Sequence, residues 1–163
     1  MKKITFILFA LIAGTTFAQR SANGTATVNA HIVSPINIST SDNINFGKIV
    51  KTTEGGIVEI PTDGGNRIIP SDMDIVSESS AATFTVTAEE NTTYSVSIPS
   101  LVMKNTVDDS KTMTVDFTHS LGEGNTSSGN TDETFVVGGK LNVGGNQAEG
   151  SYTGTATVTV SYE

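Results

Sequence analysis

The side chains with which this chain could do chemistry are few, and their spacing limits each of them. His31 and His119 are the only histidines, and histidine is the one side chain whose ordinary pKa lies near neutrality. Both fall at polar-phase positions of expected strands, which predicts solvation rather than catalysis or metal binding. Ser-His-Asp catalysis would need one of them as base, and the chain holds no Gly-x-Ser-x-Gly elbow to present a serine. Carboxylates pair at Glu89-Glu90, Asp108-Asp109, Asp132-Glu133 and Asp72 with Asp74. These pairs sit on expected loops with little aromatic surface to hold a sugar, so they read as solvated turn residues rather than a glycosidase pair. Calcium would need several oxygen ligands on one ordered loop, and Asp63-Gly64-Gly65-Asn66 or Ser71-Asp72-Met73-Asp74 offers only part of such a set. Gly138-Gly139 and Gly144-Gly145 lack the strand-to-helix setting and the Lys-Ser pair of a phosphate loop, and read as a bulge and a turn. The expectation is therefore no catalytic residue, no metal site and no cofactor.

What remains is a chain built to be exported and packed. Lys2 and Lys3 precede the apolar run 4–14, and Thr15-Thr16-Phe17-Ala18 offers small residues for cleavage. Residues 1–18 thus read as a secretory signal peptide. That run is shorter than the roughly 20 residues that span a bilayer, and no second one follows, so no transmembrane segment is expected after cleavage. The chain of 163 residues has no cysteine, which excludes disulfides, thiolate metal sites and a lipid-modified cysteine. Without Lys2 and Lys3 seven basic residues face 17 acidic ones. That balance disfavours nucleic acid and anionic membranes as partners.

The elements that would carry such a surface are strands. After the leader no window sustains a 3.6-residue apolar period, whereas two-residue alternation recurs between Gly, Asn, Asp, Ser and Thr clusters. Ala26, Val28, Ala30 and Ile32 predict a first strand, bent at Pro35 and resumed by Ile36 and Ile38. Residues 44–49 predict a second and residues 57–60 a third. Residues 67–80 read as a loop with short edge pairing. Phe84, Val86 and Ala88, then Tyr94, Val96 and Ile98, predict a hairpin turning at 89–93. Further strands follow at Met113 to Phe117 and from Phe135 to Val143. The polar stretch 122–132 reads as a mobile loop. Seven to nine short strands imply an all-β, immunoglobulin-like antiparallel Greek-key β-sandwich, with 19–25 as a flexible extension and 26–163 as one domain.

Residues 150–163 hold the clearest pattern. Gly150, Tyr152, Gly154, Ala156, Val158, Val160 and Tyr162 point one way, and the intervening Ser and Thr residues point the other. The expectation is one terminal strand with one core face.

A glycine fourteenth from the end and a tyrosine second from the end resemble the terminal-strand signature of chaperone-usher pilin subunits. Together with the first strand and residues 44–49, that ending is similar to spore coat protein U and its pilin relatives. Val137, Gly138, Gly139 and Leu141, around Lys140, resemble the Val-Gly-Gly-Thr-Leu motif of a family of small secreted bacterial proteins of unknown function. The pilin resemblance implies a fold lacking one strand, its groove filled first by a periplasmic chaperone and then by the N-terminal extension of the next subunit. The acceptor edge would then be residues 150–162, and the donor would include Ala22, Gly24, Ala26 and Val28. With a first strand beginning near Ala26, only 19–25 remains to donate. Either 24–33 swaps between subunits, or the sandwich is self-complete. The sequence therefore supports a non-enzymatic subunit of a bacterial surface fibre or coat, with itself, related subunits and a chaperone as partners. The alternative is a secreted binding module for carbohydrate or a surface ligand, using loops 105–111 and 122–132.

Overall fold

The computed structural model describes residues 21–121, 126–128 and 132–163. The expected leader and parts of the 122–132 loop lie outside the described residues. All regular structure among the described residues is β, in ten strands: β1 (Asn37–Thr40), β2 (Gly55–Ile60), β3 (Ala82–Thr87), β4 (Thr92–Ser97), β5 (Leu101–Asn105), β6 (Thr112–His119), β7 (Thr126–Ser128), β8 (Asp132–Gly144), β9 (Tyr152–Thr153) and β10 (Thr159–Tyr162). Seven form one antiparallel sheet in the order β1-β3-β8-β6-β5-β9, with β2 also on β8; the other three form β10-β4-β7. The count exceeds seven to nine because the terminal segment is split and Thr126–Ser128, expected within a loop, pairs with β4. The result is an all-β sandwich.

β8 is the spine of the large sheet. Its first half pairs with β3 and its second half with β2, while β6 runs along the opposite edge across the junction. The expected bulge at Gly138-Gly139 is absent. The β6 register advances without an insertion from Val137 to Asn142, and Phe135, Val137, Leu141 and Val143 all face inward. A Cβ on Gly138 would strike the Ile60 carbonyl, and one on Gly139 would lie 2.8 Å from the Asp116 carbonyl. The two glycines therefore permit close approach where β2 hands over to β3.

Two apolar clusters fill the interior. Phe46, Val58, Ile60, Met73, Val115, Leu141 and Val143 form one; Ala82, Val86, Ala88, Tyr94, Phe135 and Val137 form the other. Tyr94, fully enclosed at 0% exposure, comes from the small sheet and donates a 2.6 Å hydrogen bond to Glu133 Oε2. Burial and that carboxylate push its phenol pKa upward.

Four further expectations change. β3 and β4 are not a hairpin: β3 pairs with β1 and β8, β4 with β10 and β7. The short 88–91 connection, with Asn91 at φ 58°, crosses between sheets, as sandwich connections do. Residues 44–49 make only isolated bridges, Asn45 with Ser80 and Ile49 with Ile75, because Gly47 at φ 79° breaks the extended run. His119 is not on the wet face; it shares the inward phase of Met113, Val115 and Phe117 and meets the Phe135 ring edge-on. The first strand starts at Asn37, not near Ala26. Residues 21–36 belong to no strand, and the compact unit spans Val33–Glu163.

Candidate assembly edge

Residues 150–162 do not form one strand. β9 borders the large sheet through β5, and β10 borders the small sheet through β4. Residues 154–158 between them belong to no strand. The alternation holds its phase nonetheless: Tyr152, Val158, Val160 and Tyr162 are half-buried, and the other face is exposed. Gly154 and Ala156, expected to face a core, are exposed.

The segment is pinned at its start. Asn105, 3% exposed, donates from Nδ2 to the Glu149 carbonyl at 3.0 Å, and its Oδ1 accepts the Val107 N–H at 2.9 Å. The Thr106 N–H donates to the Ser151 carbonyl at 2.8 Å. Gly150 has φ 132°, and a Cβ there would meet the Asn105 amide at 2.5 Å. The glycine is thus required by backbone conformation and by this close approach. Tyr152 is fixed by its own neighbourhood, its hydroxyl donating to the Ala148 carbonyl and accepting from Gln147 Nε2, both at 2.8 Å.

Opposite this segment runs another, residues 34–52, in antiparallel sense. The two meet at both ends. At one, the Tyr162 hydroxyl donates to the Ser34 carbonyl at 3.0 Å and accepts the Glu89 N–H at 2.8 Å. At the other, Lys51 Nζ lies 2.8 Å from Glu149 Oε1, and the Asn146 N–H donates to the Thr52 carbonyl at 2.9 Å. Lys51 holds the Glu149 carboxyl below its usual pKa. Between these ties no backbone hydrogen bond joins the two runs among the described residues. The outer edges of β1 and β10 are likewise unpaired among them. A cleft of about 770 Å³ opens between residues 44–51 and 147–152, floored by Met103, Met113, Leu141 and Val143.

The remaining expected residues fall as follows. Val137 and Leu141 of the motif enter different clusters, with Gly138 and Gly139 at the junction. The expected donor residues Ala22, Gly24, Ala26 and Val28 are exposed and in no strand; Val28 is 90% and Ile32 91% exposed. Asn105 was not legible as functional, although its position in the phase of Leu101 and Met103 marks a polar group among inward ones. No group of three or more His, Cys, Asp or Glu side chains is placed to hold a metal ion among the described residues. No helix among them is long and apolar enough to cross a membrane.

Strand ladders in two antiparallel sheets define an all-β sandwich domain. The chain belongs to the DUF4402 family, a domain of unknown function, whose profile matches residues 36–162. No curated protein matches it.

Proposed function

We propose that this chain is a non-enzymatic structural subunit of a bacterial surface fibre or coat that assembles by strand addition. One observation carries the reading: residues 34–52 and 146–162 are antiparallel and tied at both ends, and among the described residues no backbone hydrogen bond joins them between. β1 and β10 are edge strands of the two sheets among the described residues, and the outward backbone groups of an edge strand invite one more strand. Half-buried Ile36, Ile38, Val158 and Val160, packed on the second cluster, offer apolar surface for its side chains. Residues 22–32 have the required alternation, and none belongs to a strand. The later start of β1 lengthens the available donor beyond 19–25 to include Val28 and Ile32. Burying those two side chains contributes about 1.5–3 kcal/mol each, a useful fraction of the roughly 5–15 kcal/mol that stabilises a domain. Export through residues 1–18 would deliver the subunit to the surface.

The test is the oligomeric state of the chain beginning at Gln19, followed by light scattering across a concentration series. Concentration-dependent association that disappears when 19–32 is deleted is the expected result. A chain that stays monomeric at every concentration, with unchanged stability after the deletion, would refute the reading.

A further inference from the structure

We propose that Asn23 is a site of self-modification, converting to aspartate and isoaspartate through a cyclic imide formed with Gly24. The reaction needs only water and does not depend on how the chain assembles. Asn23-Gly24 is the one Asn-Gly step in the chain; every other asparagine precedes a residue that carries a side chain. A Cβ on the following residue hinders the approach of its backbone nitrogen to the asparagine side chain. Glycine lacks that atom and also reaches backbone angles closed to other residues.

The Gly24 nitrogen adds to Cγ of Asn23, the Cγ–Nδ2 bond breaks, and the amide nitrogen leaves as ammonia with the proton that Gly24 gives up. Water then opens the imide at either carbonyl. Breaking the bond to Cγ gives aspartate; breaking the bond to the main-chain carbon gives isoaspartate, whose backbone runs through the former side chain. One amide and one water thus become one acid and one ammonia. Either product adds a carboxylate that is ionised at neutral pH. Isoaspartate also lengthens the backbone by one atom, so Ala22 no longer shares the phase of Gly24 and Ala26.

Ring closure needs a side chain free to turn onto the next backbone nitrogen, and the fold decides where that freedom exists. Residues 21–32 are exposed and belong to no strand. No backbone hydrogen bond holds Asn23 or Gly24 among the described residues, and a Cβ on Gly24 would meet nothing within 4 Å. Asp63-Gly64 could close the same ring, yet its side chain is engaged. Asp63 Oδ1 accepts the Gly65 N–H at 2.8 Å, one residue beyond the nitrogen that would have to attack. A side chain held in such a local turn is withdrawn from the competing reaction. Asn105, 3% exposed, is fixed by bonds at both of its side-chain polar atoms. Asn23 also precedes the compact unit Val33–Glu163, so its conversion leaves the packed core intact.

The test keeps the chain beginning at Gln19 in neutral buffer and samples it over time. Trypsin cuts after Arg20, Lys48, Lys51 and Arg67, releasing 21–48 with Asn23 and 52–67 with Asp63. Mass gain and fragmentation locate each product, and isoaspartate is counted by a methyltransferase specific for its carboxyl. Asn23 should convert about tenfold faster than any other asparagine of 21–48, and Gly24→Ala should slow it by a similar factor. Denaturant should leave the Asn23 rate little changed while quickening isoaspartate formation at Asp63. Conversion spread evenly over the asparagines of 21–48, or indifferent to Gly24→Ala, would overturn the imide at this step. A marked rise at Asn23 on unfolding, or a free peptide of residues 21–28 that converts while the folded chain does not, would show the segment held and overturn the site. An Asp63 rate indifferent to denaturant would overturn the protection assigned to its turn.

Discussion

The two halves of β8 lie under different roofs. Phe135 and Val137 are covered by a hydrogen-bonded sheet, with Tyr94 of β4 at its centre. Leu141 and Val143 are covered by Phe46 and Met73, from runs joined by isolated bridges and by side chains. There Arg67 donates from Nη1 to the Phe46 carbonyl and from Nη2 to the Ser77 carbonyl at 2.8 Å. Lys48 N–H donates to Ser77 Oγ at 2.6 Å. A ladder distributes its bonds over many residues, whereas the second roof hangs on a few. The cleft of about 770 Å³ borders that second roof.

The sharpest way to break the contrast is at the junction. Gly138→Ala places a methyl group against the Ile60 carbonyl, and should cost about 3 kcal/mol, seen as a lower urea midpoint with both halves melting together. If the halves separate instead, β8 does not couple them. Next comes one substitution for each roof. Tyr94→Phe leaves Glu133 without its donor and should cost about 2 kcal/mol. It has a pH signature as well. The folded-state pKa of Tyr94 is raised, so its contribution is complete below the unfolded value of about 10 and is lost as pH rises beyond it. The wild-type chain should therefore lose stability more steeply than Tyr94→Phe in alkali, as read by denaturation at stepped pH. Arg67→Ala removes two ties to carbonyls and should cost a similar amount, about 2 kcal/mol. Hydrogen exchange should then quicken at 44–50 and 75–80 while β3 and β4 keep their protection; equal quickening in both would erase the contrast. The smallest effect belongs to Lys51→Ala, an exposed pair with Glu149, whose slight loss should vanish in high salt.

The difference between the roofs also explains what the sequence could convey. Period-two alternation identified the inward phase of β3, β4, β8 and β10, because side-chain direction is a local property. Partner choice is not local. Strand, short turn, strand at 83–98 suits a hairpin and a sheet-to-sheet crossing equally, and only the crossing lets Tyr94 roof Phe135. Ala26 to Ile32 alternate as well as any strand here, yet they belong to none, because alternation says nothing about whether a partner edge is within reach. Gly138-Gly139 resembled a bulge because glycine in a strand suits either a bulge or a close backbone approach; the carbonyl of Ile60 decides, and it is nearly eighty residues away in sequence. At the edge itself, Gly150 and Tyr162 were legible as a terminal pattern. Asn105, which holds the Gly150 end, was not, since a single asparagine carries no spacing signal.

Residues 154–157 have a consequence of another kind. They are exposed and belong to no strand, and protease clefts grip such free backbone. The stretch is therefore a natural cut site within the compact unit, just before β10. If the proposed strand is laid along it, the stretch would be shielded, so resistance to nicking there would report occupancy of the edge chain by chain.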